Sequence, residues 1–239
     1  MCRLCEANST LSRRRLLGGG LALAGAVAGA RLAVMPAPAE AAPNAISPDA
    51  ALERIVAGNA RYAANTSTNK DFSAGRAARA QAQFPIAAIV SCADSRVSPE
   101  LLFDQAPGEL FVTRVAGNFV NDDGLASLEY GVKFLGIPLI MVLGHSGCGA
   151  VDATIKVVQD NVELPGHLPG LVDALRPGIK AAIASNPKDL LAAATVENVR
   201  HNVKRLQTAD PIVSKLVADG KVKVVGGVYD IATGKVNMV

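Results

Sequence analysis

Cys92 and Cys148 are the two sulfur donors in the body of this chain, and His145 stands three residues before the second of them. Thiolate and imidazole are ligands that zinc prefers, and two of one with one of the other make a three-ligand set. Structural zinc usually closes its tetrahedron with four protein ligands, whereas three leave a position for water, as catalytic sites do. Cys92 opens the run Cys92-Ala93-Asp94-Ser95-Arg96, in which a carboxylate and a guanidinium two residues apart are able to pair bidentately. His145 and Cys148 lie in Gly144-His145-Ser146-Gly147-Cys148-Gly149, where glycines let backbone approach a metal and a helix start favours the Cys148 thiolate. Each residue also has a plainer reading. A cysteine after a strand is most often a small hydrophobe, a lone histidine is most often just hydrogen-bonded, and Asp94 with Arg96 could simply brace a loop. An oxidising compartment could instead join the two cysteines as a disulfide. Both cysteines and one of only three histidines falling at strand ends together favour the metal.

Such a site needs a scaffold that brings position 92 beside positions 145 and 148. Short apolar runs at Ile86–Val90, Leu110–Val112, Leu139–Leu143 and Val222–Val228 have the length and β-branched content of fully buried strands. Helices are expected between them at Pro99–Phe103, Gly124–Leu135 and Ala150–Val158, and a late helix carries Val196, Val199, Val203 and Leu206 as one stripe. This alternation predicts an α/β fold with a mostly parallel central sheet flanked by helices. In open sheets of this kind, sites form beyond the carboxyl ends of strands, where Cys92 and Cys148 fall. Upstream, Ser47-Pro48 is a helix start, followed at helical spacing by Leu52, Ile55, Asn59 and Tyr62, so that residues 47–69 form an N-terminal helical arm.

The 239 residues, 50% hydrophobic and 19% charged, exclude a disordered or fibrous chain and suffice for one domain over residues 42–239. Residues 1–41 read as a twin-arginine export signal: Arg13-Arg14-Arg15, an apolar run from Leu16 to Ala30, then the small-x-small site Ala39-Glu40-Ala41. The run is too short for a membrane helix, which needs about 20 residues, and no stable insertion is expected once the signal is removed. That route leads to the bacterial periplasm or outside the cell, and exports proteins already folded, often with a cofactor in place. Cys2 and Cys5, within this segment, read as incidental. The signal holds five of the 24 basic and two of the 21 acidic residues, leaving 19 of each. A neutral body with few aromatics gives no case for a nucleic-acid partner.

Cys92-x-Asp94-x-Arg96 with His145-x-x-Cys148 resembles the β class of carbonic anhydrases. The likeness runs on through Gln83-Phe84-Pro85, Ser98-Pro99-Glu100, Pro107-Gly108-Glu109-Leu110-Phe111-Val112, Arg114-Val115-Ala116-Gly117-Asn118 and Val228-Tyr229-Asp230. The resemblance implies reversible hydration of carbon dioxide to bicarbonate, with one Zn2+ per chain on Cys92, His145 and Cys148. It makes Asp94 and Arg96 the catalytic pair, Asp94 either accepting a hydrogen bond from the nucleophile or swinging in as a fourth ligand that shuts the site. Substrate-binding positions fall on Gln83, Phe111, Ala116, Tyr130 and Gly149. Two thiolates cancel the metal's charge, so activity should climb on the alkaline side of neutrality. The family usually forms homodimers or larger assemblies with active sites at subunit interfaces, and the arm would then wrap a neighbour. Some members are regulated by bicarbonate through a tryptophan; this chain has Ile89 at that place and no tryptophan, so that control is not expected. His167 and His201 read as structural or solvated. Competing readings are a carbon disulfide or carbonyl sulfide hydrolase on the same scaffold and a non-enzymatic zinc or thiol protein. A serine hydrolase fails because Cys148 replaces the last glycine of G-x-S-x-G.

Overall fold

The structure is a computed structural model that describes residues 44–73 and 75–239. The export signal lies outside the described residues. The described residues form one compact unit. No helix among the described residues is long and apolar enough to cross a membrane.

Five strands make one sheet: β1 (Ala87–Ser91), β2 (Leu110–Arg114), β3 (Leu139–His145), β4 (Lys223–Tyr229) and β5 (Val236–Met238), in spatial order β2-β1-β3-β4-β5. The first four are parallel and β5 returns antiparallel to β4. This is the expected mostly parallel architecture. β1 and β3 are buried along their whole length, but β2 and β4 are not. β2 is an edge strand whose residues grow more exposed toward Arg114, and β4 mixes buried and half-buried residues along its length. The expectation of four fully buried strands therefore holds for the central pair alone.

Helices cover both faces. α1 (Pro48–Ala63) begins where Ser47 Oγ accepts the Ala50 N–H at 3.1 Å. Its Ala51 and Ile55 pack with Ile89, Met141 and Leu143 on one face of the sheet, joined by Leu102 of α3 (Pro99–Leu102). The helix thus packs on the sheet of its own chain. Asn59 pins it by donating to the carbonyls of Leu102 and Gly234 and accepting from Val236 N–H. α2 (Arg76–Arg79) is a single turn ahead of β1.

On the other face, α4 (Asp122–Phe134) is capped by Asn121, and α7 (Leu190–Gln207) is capped by Asp189. They pack Leu128, Val132, Val199 and Leu206 on Val90, Ile140 and Val142, with Val213 of α8 (Val213–Ala218). α5 (Gly149–Asp160) follows β3, and α6 (Leu168–Ala184) packs between it and α7. The sequence reading has no helix at 168–184, because Pro169, Gly170, Pro177 and Gly178 are poor helix formers. Tertiary packing of Val172, Leu175, Ile179 and Ala182, all buried, carries the helix through them.

Candidate metal centre

Register places the three chemical residues. Ser91 of β1 lies opposite Leu143 of β3, so Cys92, the next residue, emerges beside the last residues of β3, which ends at His145. Cys148 sits at the N-cap of α5, one tight turn later, with Gly147 at φ +63° making the bend. Cys92 Sγ, Cys148 Sγ and a ring nitrogen of His145 all lie within 4.8 Å of one another, and all three residues are buried.

The hydrogen bonds around them orient the donors. His145 Nδ1 lies 3.0 Å from the carbonyl of Ser146, which fixes the proton on Nδ1 and leaves Nε2 with its lone pair. Nε2 is fully buried without a hydrogen-bond partner, an arrangement that a metal ion would satisfy. Cys92 Sγ accepts the Gly117 N–H at 3.2 Å. Its thiol is held well below the usual range, first by the hydrogen bond with Cys148, then by His145 and by the Gly117 and Asp94 N–H groups, against burial. The Cys148 thiol is pushed up, by the bond it shares with Cys92 and by burial, and the N–H groups of Val151 and Ala150 at the start of α5 do not offset this. Without a metal, then, the pair keeps a proton. A divalent cation that replaces it makes both sulfurs thiolate, and the donor set fits zinc.

Asp94 stands at the margin of this set, its Oδ2 3.8 Å from His145 Nε2. Arg96 grips it bidentately, Nε to Oδ1 at 2.9 Å and Nη2 to Oδ2 at 2.7 Å, and its own N–H donates to Oδ1 at 2.9 Å. Those bonds hold the Asp94 carboxyl far below the usual carboxylate range, with His145 a smaller contributor and burial opposing. Arg114, at the end of β2, clamps the loop from outside: Nε to the Cys92 carbonyl at 2.9 Å and Nη2 to the Asp94 carbonyl at 2.7 Å. Ser146 ties the other loop to β4, its N–H donating to the Tyr229 carbonyl and its Oγ accepting the Ile231 N–H. Sequence reasoning gave Arg114 and Ser146 no such role. Their positions at strand ends beside the ligands were the available signal.

The five predicted substrate positions divide. Ala116 is half-buried in the turn next to Gly117, and Gly149 is exposed beside Cys148, with nothing within 4 Å of where a side chain would start. Both adjoin the metal ligands. Gln83, Phe111 and Tyr130 do not. Gln83 is exposed ahead of the amino end of β1, in a cleft of about 600 Å3 lined also by Arg79, Phe84, Pro107 and Glu109. Phe111 pairs with Ala88, four residues before Cys92, which is about 13 Å along the strand. Tyr130 is exposed on α4, its ring 5.6 Å from that of Phe134. His167 is exposed before α6; His201 is half-buried on α7, its pKa lowered by burial and then by Arg205 and Lys204. Both fit the structural or solvated reading. Ile89 is core.

Sheet and site together define an α/β protein with a candidate three-residue metal site at the carboxyl edge of a mostly parallel sheet. Comparison with known proteins narrows this. The family model described as "Carbonic anhydrase" matches residues 87–236. A carbonic anhydrase of Mycolicibacterium smegmatis is 36% identical over 200 residues, covering 82% of this chain and 95% of that one. Carbonic anhydrase 2 of Mycobacterium tuberculosis is 34% identical over 193 residues, covering 79% and 91%. The solved Coccomyxa β-carbonic anhydrase, in complex with acetazolamide, aligns with a TM-score of 0.59 at 32% identity, over 79% of this chain and 86% of that one. The chain belongs to the carbonic anhydrase family, and its fold is that of the β class. It is an enzyme of the carbonate dehydratase kind.

Proposed function

We propose that this chain hydrates carbon dioxide reversibly, using zinc held by Cys92, His145 and Cys148. The observation that carries the reading is the buried Nε2 of His145, partnerless beside two cysteine sulfurs, with a paired carboxylate at its margin. Zinc bound there would supply an acidified water as the nucleophile. The chain's own residues do the rest. Asp94, ionised and acceptor-only, would accept a hydrogen bond from that water and so orient it. Arg96 occupies both carboxylate oxygens and so keeps Asp94 from becoming a fourth ligand. Ala116 and Gly149 are small residues beside the ligands, and no side chain at Gly149 would crowd a small gas there.

Gln83, Phe111 and Tyr130 lie too far along their own chain to join this site. Their place in the reaction would come from a second copy that brings them to the metal centre, in a homodimer or larger assembly. Residues 1–41 are read as the export signal, so the mature enzyme over residues 42–239 would work in the periplasm or outside the cell. Replacing Arg14 and Arg15 by lysine would then hold the uncleaved protein in the cytoplasm, read by mass spectrometry of fractionated cells.

The test of the activity is stopped-flow carbon dioxide hydration from about pH 6.5 to 9 on metal-analysed protein, with Asp94→Asn alongside. The expected result is fast hydration that climbs with pH, and a fall of about 10²-fold or more in Asp94→Asn with metal retained. No hydration at any pH with one zinc per chain would overturn the assignment and turn attention to carbon disulfide and carbonyl sulfide.

A further inference from the structure

We infer that Asn198, on α7 and remote in sequence from every ligand, is a positioning residue for the metal centre, acting through Gly117 on the Cys92 sulfur. The inference rests on the reading that a metal sits at Cys92, His145 and Cys148.

The link begins at a turn. The Asn118 N–H donates to the Val115 carbonyl at 3.1 Å, closing a four-residue turn whose third residue, Gly117, has φ +85°. That is the arrangement of a type II turn, which differs from type I chiefly by a flip of its central peptide. Here the central peptide joins Ala116 to Gly117, and its N–H is the one that meets Cys92 Sγ at 3.2 Å. Flipping it would withdraw the N–H from the sulfur and turn a carbonyl oxygen toward it. The turn type therefore decides whether Cys92 meets a donor or a repelling oxygen.

Both flanks of that peptide are held. Val115 is laced to the loop beyond β1: its N–H donates to the Ser91 carbonyl at 3.3 Å and its carbonyl accepts the Ala93 N–H at 3.1 Å. On the other side Asn198 Nδ2 donates to the Gly117 carbonyl at 2.8 Å. The Asn198 amide is itself oriented, because Asn202 Nδ2 donates to its Oδ1 at 3.2 Å and to its backbone carbonyl at 2.9 Å. Asn202 Oδ1 in turn accepts the Val120 N–H at 2.9 Å, so the two asparagines hold the loop at two points. Both are buried, where a polar side chain needs a full set of partners. α6 presses the assembly together. A side chain on Gly117 would fall 2.7 Å from Leu175 Cδ1, and one on Gly178 would fall 2.8 Å from the Cα of Asn198. Leu175 and Gly178, neighbours along α6, thus fix the turn and α7 at once.

Asn198→Ala removes the grip on the Gly117 carbonyl and frees the peptide to flip. The cysteine sulfur then loses its N–H and becomes a stronger electron donor. Cobalt(II)-substituted protein reads this directly, through the thiolate-to-metal charge-transfer band. The expected result is a shift of that band to longer wavelength in Asn198→Ala, with metal retention against a chelator weakened about tenfold. Leu206→Ala, a buried truncation at the far end of the same helix, lowers stability and leaves the band in place. An unmoved band in Asn198→Ala, or an equal shift in Leu206→Ala, overturns the inference. Should Asn198→Ala fail to fold, Asn198→Ser, which leaves a smaller void yet is too short to reach the carbonyl, is held to the same two outcomes. If the native chain takes up no cobalt, the proposed function itself fails, an outcome separate from a native band that Asn198 does not influence.

Discussion

The carboxyl and amino edges of the sheet are built in opposite ways. At the carboxyl edge Cys92, His145 and Cys148 are buried, and Arg96, Arg114, Gly117 and Ser146 spend hydrogen bonds on holding them or their loops. At the amino edge Gln83 and Phe84 are exposed beside an open cleft, and Tyr130 and Phe134 meet at a tilt and are both exposed, Phe134 74%. One edge is finished within a single chain. The other presents apolar surface of the kind that a second molecule covers. A ligand set has to be held within about 0.5 Å of its working geometry, whereas residues that would meet substrate across an interface would need placing only on assembly.

The largest effect should come from breaking the finished edge. Cys148→Ser is expected to drop metal content from one per chain to near zero and hydration to the uncatalysed background, measured by elemental analysis and stopped flow. Phe134→Arg probes the unfinished edge. Its exposed ring contributes little to the chain's own fold, so stability of the single chain should hold while association weakens about thirtyfold, or ~2 kcal/mol. Light scattering across a dilution series checks this, and activity should fall with the assembly. A variant that stays assembled and active would break the comparison, because the amino edge would then have no partner.

A smaller effect sharpens the contrast by asking how the amino side is braced. Asp104, at φ +48°, takes the N–H groups of Thr68 and Asn69, the Thr68 hydroxyl and Arg61 Nε, tying the segment after α1 to the loop before β2. Burial opposes its charge, but these donors outweigh it and hold the carboxyl far below its usual range. A depressed carboxylate contributes stability above its unfolded value of about 4, and that contribution fades as pH falls through the folded value. Asp104→Asn should cost about 1–3 kcal/mol at pH 7, with the gap to wild type narrowing steadily below about pH 4. Urea midpoints at several pH values measure both, and Cys148→Ser should leave that gap unchanged.

The gathering of Cys92, His145 and Cys148 was legible because rare residue types fell at recognisable strand ends, and the Asp94–Arg96 pair because its spacing is local. β1 and β3 were legible for a related reason, since strands buried on both faces read as unbroken apolar runs. α6 was not, because Pro177 and Gly178 argue against a helix until the neighbouring α7 is known to need Gly178's missing side chain. Nor was Asn198, whose partner lies 81 positions away. On an apolar stripe that includes Val199 and Leu206, an asparagine reads as a solvated interruption; only its burial and its bond to Gly117 give it a task. The placement of Gln83 and Tyr130 away from the ligands was equally hidden, since order along the chain carries no distance across the sheet.

Cys92 and Cys148 flank α3, β2, α4 and β3 in the chain yet meet at one point in space. A cation held across them is consequently a cross-link that closes this long loop. Because unfolding would release a coordinated cation, that cation would stabilise the folded chain through its binding free energy, an effect that grows with free metal concentration. Stripping the metal would thus be felt as slack throughout the segment between the two cysteines.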